Sequence, residues 1–210
     1  MKITVIGGSG FIGSHVSDAL SKKGHKVKIF DKKKSKWKRA DQILIKGNIF
    51  DYKSLDKAIK GADIVYNFAA LVDLDKALRR PIETAKSNIL GTVNALEISR
   101  KHNVKRFVYA STIYANSREG GFYRCSKKAA EDYVEEFHNI YGLNYTVLRY
   151  GSIYGDRSDN SNGVTKIITN AMKTRKISYF GNKKAVREYI HVTDVAKASI
   201  KILSEKFKNK

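Results

Sequence analysis

The chain is poor in the residues that build cross-linked or metal-stapled folds. Among 210 residues there is one cysteine, Cys125, and one proline. A lone cysteine excludes an internal disulfide framework and any multi-cysteine zinc site. No stretch approaches the roughly 18 apolar residues of a membrane span. The opening Met1-Lys2-Ile3-Thr4-Val5-Ile6-Gly7-Gly8 is too short and Gly-rich for a signal peptide. There is no internal repeat and no low-complexity linker. Acidic residues are also scarce, with 20 Asp and Glu against 41 Lys and Arg, a formal net charge of +21. An apolar content of 42% nevertheless excludes a disordered polyelectrolyte. The expectation is a cytoplasmic protein of one domain, or of one domain plus part of another. The lysines are scattered, and only Lys32, Lys33, Lys34, Lys36, Lys38 and Arg39 form a dense cluster. Without a nucleic-acid motif beside it, this charge reads as a solvated surface rather than a nucleic-acid footprint.

Over the first 150 residues short apolar runs alternate with longer amphipathic stretches. Residues 3–6, 27–30, 43–45, 64–66, 106–109 and 145–148 read as strands, and 11–23, 55–60, 84–102 and 123–141 as helices. This alternation predicts an α/β fold, a doubly wound parallel sheet (Rossmann) covered on both faces, with right-handed crossovers. Beyond Tyr150 the rhythm changes. Residues 151–163 read as loop, 164–174 as a helix, 188–190 as a short strand, 195–203 as a last helix and 206–210 as a frayed polar tail. The chain therefore divides into a dinucleotide-binding domain that carries the catalytic residues, 1–150, and an incomplete small substrate region, 151–210.

Gly7-Gly8-Ser9-Gly10-Phe11-Ile12-Gly13 lies between the first strand and the first helix. Glycines at 8, 10 and 13, or at 7, 10 and 13, supply a tight turn that a pyrophosphate can approach closely. The helix start then offers free N–H groups and a positive dipole end to the anion. Asp31 follows the second strand, 18 residues after Gly13. A carboxylate there accepts hydrogen bonds from ribose hydroxyls and repels a 2′-phosphate, which favours NAD over NADP. Lys32, Lys33 and Lys34 beside it are the opposing signal, because they could pair with that phosphate.

Tyr123 and Lys127 stand four apart at a helix start and so share a face. A neutral tyrosine is a poor base, and a neighbouring ammonium is expected to favour its phenolate. Ser111 and Thr112 follow the fifth strand, at the carboxyl edge where doubly wound sheets bind ligands, and their hydroxyls can hold a substrate oxygen.

These stretches resemble the extended short-chain dehydrogenase/reductase superfamily in its NAD-dependent epimerase/dehydratase branch. The resemblance runs from Met1 to about Ala198. It includes the glycine turn through His15, Gly47-Asn48-Ile49, Asn67-Phe68-Ala69-Ala70, Asn88-Ile89-Leu90-Gly91-Thr92 and Ala110-Ser111-Thr112. It continues through Tyr123 to Lys127, Leu148 to Gly155 and Arg187 to Ala196. It implies Thr112, Tyr123 and Lys127 as catalytic hydroxyl, base and lysine. It implies cofactor contacts by Gly7, Gly10, Phe11, Ile12, Gly13, Asp31, Asn48, Ile49, Ala69, Asn88, Tyr123, Lys127 and Tyr150. Ser111, Thr112, Ser152 and Arg187 are implied as substrate-binding, Arg187 on a nucleotide-sugar pyrophosphate. A homodimer through helices 84–102 and 123–141 is also implied. No metal is expected.

Dehydratases of this superfamily place an Asp-Glu pair after the catalytic Thr, and decarboxylating relatives need a nearby Glu. Here Ile113-Tyr114 follow, so both reactions are disfavoured. Cys125, inside the Tyr-Lys helix turn, reads as a small packed residue rather than a carbanion-chemistry acid or base. The implied activity is an NAD-dependent epimerase of nucleotide sugars, above all a UDP-sugar 4-epimerase. The alternatives are a sugar dehydrogenase or reductase, and a non-catalytic nucleotide-binding module. Two departures stand out. The 112–123 segment is short, and relatives continue well past an Asp194-Val195-Ala196-like segment.

Overall fold

A computed structural model describes residues 1–177, 186 and 188–210. Strands β1 (Lys2–Ile6), β2 (Lys26–Asp31), β3 (Ile43–Lys46), β4 (Ile64–Asn67), β5 (Arg106–Thr112) and β6 (Tyr145–Tyr150) make one sheet in the order β3-β2-β1-β4-β5-β6. Every neighbouring pair is parallel. All residues of β4 and β5 are buried, as a strand covered on both faces requires. This explains their continuous apolar runs in the sequence.

One face is covered by helices α2 (Tyr52–Ile59), α5 (Gly91–Lys101) and α6 (Gly121–Tyr141). Leu55, Ile59, Leu96, Ile98, Val134 and Phe137 pack there against Phe107 and Tyr109. The other face is covered by α1 (Phe11–Lys22) and α8 (Val192–Lys201). Val16, Leu20, Ala196 and Ile202 pack there on Ile3, Val5 and Tyr66. Helix α8 lies beyond residue 150 yet belongs to this layer. Buried Arg106 fixes its end by donating to the carbonyls of Ile202 (2.7 Å) and Ser204 (3.2 Å).

Four expectations change. The helix expected over 84–102 is α4 (Pro81–Ala85), a π-helical turn (Lys86–Leu90) and α5, preceded by the unforeseen α3 (Leu74–Arg79). Asp73 caps α3 by accepting from Lys76 N, and only Ala77 of that helix is buried, so it leaves little apolar periodicity to read. Within the segment expected as loop, Ser152–Tyr154 forms β7, which pairs in parallel with β8 (Tyr189–His191). That pairing joins residues far apart in sequence, which local patterning does not reveal. Helix α7 (Gly163–Thr174) lies between them. Lastly, the tail is not frayed. Asn209 N donates to Tyr145 O (2.7 Å) and Val147 N to Lys210 O (2.7 Å), along the free edge of β6. No described helix is long and apolar enough to cross a membrane.

Candidate active site

The strand order reverses direction between β1 and β4, and the carboxyl ends of β1, β4 and β5 meet along one edge. At β1 the glycine turn is shaped from inside the protein. Gly7 has φ 78°, and a Cβ there would stand 2.7 Å from Ala69 N, so the ends of β1 and β4 touch. A Cβ on Gly13 would lie 2.3 Å from Gly7 O. Gly10 differs, because its added Cβ would meet only Gly7 O at 3.3 Å, and its φ is an ordinary −78°. The protein's own packing thus presses on position 10 far less than on 7 or 13, through one tight contact with a backbone carbonyl, and the outer side of the residue faces whatever approaches the turn. Gly10 caps α1 with no side-chain hydrogen bond, which leaves the N–H groups of Phe11, Ile12 and Gly13 at the helix start to meet an anion. Asp31 joins the turn, accepting from Ser9 N (3.0 Å) and Lys33 N (2.9 Å). A tight glycine cradle, an open helix start and a carboxylate at the end of β2 fit a dinucleotide such as NAD.

Next along the edge, the Asn48 side chain accepts from Phe50 N (3.1 Å) at an exposed position. Ile49 packs against Gly91. Ala69 N donates to Asn67 Oδ1 (3.1 Å). Asn88 is fully buried. Its Oδ1 accepts from Leu71 N (2.6 Å), and its Nδ2 donates to Leu71 O (3.1 Å) and Ser126 Oγ (2.9 Å). Both of its N–H groups are thus spent inside the protein, tying the loop after β4 to the first turn of α6. The π-helical turn carries this residue, a common device where a helix must aim a side chain.

Helix α6 brings Tyr123 and Lys127 onto the end of β5. Lys127 is buried and donates to Ala110 O at 2.8 Å, with its Nζ 4.8 Å from the Tyr109 ring centre and 5.9 Å from that of Tyr123. Burial pushes its pKa down to about 7, against the upward pull of Glu131 one turn on. The expected depression of Tyr123 is not found. Burial, and next the neighbouring Tyr114, raise the Tyr123 phenol above its ordinary value. The same water exclusion acts on both groups, and it disfavours the phenolate and the ammonium alike. Ser111 and Thr112 are both buried. Thr112 Oγ1 accepts from Tyr114 N (3.3 Å) and opens a short 3₁₀ turn. Ser111 Oγ is buried without a partner among the described residues, a hydroxyl left for a ligand oxygen.

The remaining predicted residues fall further out. Tyr150 ends β6 beside Thr112 in register, but its hydroxyl is engaged by Ser199 Oγ of α8 at 3.1 Å. Ser152 opens β7 and its N–H donates to Glu188 O (3.1 Å). A cavity of about 240 Å³ lies beside them, lined in part by Ile113, Arg149, Tyr150 and Tyr189. Arg187 lies outside the described residues. Cys125 is exposed rather than packed, 3.3 Å from Arg124 Nη2, because α6 turns that position outward. Among the described residues no group of three or more His, Cys, Asp or Glu could hold a metal. Sequence reasoning missed Ser9 on Asp31, Ser126 on Asn88 and the Glu131–Arg149 pair. Arg149 donates to buried Glu131 through Nε (3.0 Å) and Nη2 (2.7 Å). Nothing in local spacing marks these partners.

Residues 3–210 match the model of the NAD dependent epimerase/dehydratase family. A putative UDP-glucose 4-epimerase of Methanocaldococcus jannaschii is 32% identical over 226 residues, covering 97% of this chain and 74% of the relative. Among solved structures, the UDP-glucose 4-epimerase of Thermotoga maritima with UDP-glucose superposes with a TM-score of 0.90 at 33% identity, covering all of this chain and 75% of that one. The Thermus thermophilus UDP-glucose 4-epimerase in complex with NAD gives a TM-score of 0.88 at 28% identity, covering 97% and 74%. Similar chains also include a dTDP-D-glucose 4,6-dehydratase of Dictyostelium discoideum, 28% identical over 94% of this chain and 54% of the relative.

Proposed function

Because the chain belongs to the NAD-dependent epimerase/dehydratase family, we propose that it is a UDP-sugar 4-epimerase working through transient oxidation to a keto-sugar. The observation that carries this reading is the packing of Tyr123 and Lys127 against the end of β5, where Ser111 Oγ is buried and unspent. The cofactor supplies a hydride acceptor for the carbon of the secondary alcohol and afterwards returns the hydride.

Acting as the phenolate, Tyr123 Oη takes the hydroxyl proton of the substrate as the hydride leaves and becomes the neutral phenol. Thr112 and Ser111 hold that oxygen by hydrogen bonds. Buried Lys127, kept in place by Ala110 O, offers positive charge beside the phenol, which burial alone would hold neutral. The keto-sugar then presents its other face, receives hydride there, and takes back the proton from Tyr123. Ser152 and Arg187 are proposed to hold the sugar and the pyrophosphate. Ile113, 44% exposed, and Tyr114 follow Thr112 where a dehydratase needs acidic groups, which supports epimerisation over elimination of water. We further propose a homodimer through α4, α5 and α6, where Ile82, Leu90, Tyr133 and Ile140 are exposed apolar side chains.

Native mass spectrometry with a panel of UDP-sugars tests the reading, followed by an interconversion assay. The expected result is retained NAD, a bound UDP-sugar and a dimer mass. Tyr123→Phe should keep NAD and lose turnover by about 10³-fold. Full activity in that variant would sink the assignment. NADH accumulating with substrate would point instead to a dehydrogenase.

A further inference from the structure

Three segments far apart in sequence converge on one carboxylate. Asp18 lies on α1, about two turns beyond Gly10. Its Oδ1 accepts from Gln42 Nε2 (3.3 Å), at the far end of the connection between β2 and β3. Its Oδ2 accepts from Arg157 Nη2 (2.8 Å), in the segment after β7. Both partners are largely buried, with side-chain exposures of 19% for Arg157 and 17% for Asp18. The Arg157 guanidinium also lies over the Trp37 ring, 4.9 Å from its centre. Trp37 sits in the middle of the basic connection that begins at Asp31. Arg157 itself holds φ 69°, a left-handed conformation that a non-glycine residue keeps only where its surroundings impose it. The neighbouring Asp156 O is bonded to His15 Nε2 of α1 at 2.9 Å.

The connection between β2 and β3 carries six cations, of which Arg39 alone has a carboxylate partner among the described residues, Asp41. Like charges so close repel, and nothing in the loop's own composition would hold it against the sheet. It is fastened at one end by Asp31 and by Ser9 Oγ donating to Lys33 O (3.1 Å), and at the other by Gln42 on Asp18. Its middle is fastened by the Arg157–Trp37 stack.

We propose that Arg157 is a positioning residue for the cofactor's adenosine half, clamping the Trp37 loop to α1 through Asp18. The inference rests on the dinucleotide site at the glycine turn and on no particular sugar substrate. The clamp reaches the cofactor from the segment that follows β7, so the part of the chain leading toward the substrate side also sets the order of the nucleotide side.

Trp37 is the sole tryptophan of the chain, so its emission reports the clamp directly. ADP-ribose, which keeps the adenosine half and the pyrophosphate but lacks the nicotinamide, is the probe, measured by calorimetry and by Trp37 fluorescence on the full chain. In the wild type both signals should follow one isotherm. Arg157→Ala should weaken ADP-ribose by about tenfold and uncouple Trp37 emission from binding. Asp18→Asn should do the same in part. Arg157→Lys, which keeps a cation over the ring, should restore part of the affinity. Unchanged ADP-ribose affinity in Arg157→Ala would overturn the proposal. So would equal losses in the Ala and Lys variants accompanied by equal falls in Tm, because they would reduce Arg157 to a general structural tie. A wild-type chain that binds neither NAD nor ADP-ribose would overturn the cofactor site itself, and this inference with it.

Discussion

The six-stranded sheet and the β7–β8 pair are built on opposite terms. Every residue of β4 and β5 is buried, and both faces are closed by helices that bring their own apolar stripes. Strand β7 is half-buried throughout, and α7 beside it in sequence has no buried residue. Ile168 and Met172 of α7 stand 53% and 77% exposed. What holds α7 in place is capping more than packing. Asn162 accepts from Val164 N and Thr165 N, and donates to Ile153 O. The sheet thus gives a firm floor to the glycine turn and to the Tyr123–Lys127 pair. The segment that follows is held largely by polar contacts, each worth about 1 kcal/mol.

Substitutions on the two sides sharpen this contrast. The largest effect is expected from Phe107→Ala, which empties a fully buried ring site in β5. It should cost about 3–5 kcal/mol, seen as a sharply lower denaturant midpoint with an unchanged slope. Lys127→Met comes next and depends on pH. Its folded pKa of about 7 lies below the ordinary 10.5, so between those values the unfolded chain holds a proton that the native one lacks, and wild-type stability rises with pH. Below about pH 7 the buried charge costs its full penalty. The variant's gain in Tm over wild type should therefore be several degrees larger at pH 6 than at pH 10, and equal gains at both would refute it. Gly10→Ala should lower Tm only slightly, through its contact with Gly7 O, yet weaken NAD by about tenfold, because its methyl enters the cradle and not the core. A large fall in Tm would mean that the fold itself requires this glycine. Met172→Ala on α7 should change stability by no more than about 0.5 kcal/mol.

The same contrast explains what could be read from the chain in advance. Val5 and Ile6, Ile64 to Tyr66 and Phe107 to Tyr109 are unbroken apolar runs because they are buried on both faces, and the turn glycines announce their place by spacing. The Tyr123–Lys127 pair was legible for the same local reason, one helix turn. The charge states were not legible. Spacing places the ammonium beside the phenol, but only burial reveals that water exclusion opposes both ions. Asn88 reads as a residue of the cofactor site, yet its amide is consumed by Leu71 and Ser126, partners 17 and 38 positions away. Strand β7 has no visible signal because its partner β8 lies beyond α7. Arg157, Asp18 and Trp37 are ordinary surface letters until the fold brings them together.

Cys125, turned outward on α6, has one more consequence. It is the only thiol, as Trp37 is the only indole, and both are exposed. One lies two residues from Tyr123, and the other lies on the loop that starts at Asp31. A single dye attached to Cys125 would receive energy transfer from one donor alone, with no competing label and no engineered position. The wild-type chain is therefore its own two-point ruler, reading the span between α6 and the loop after β2 in real time.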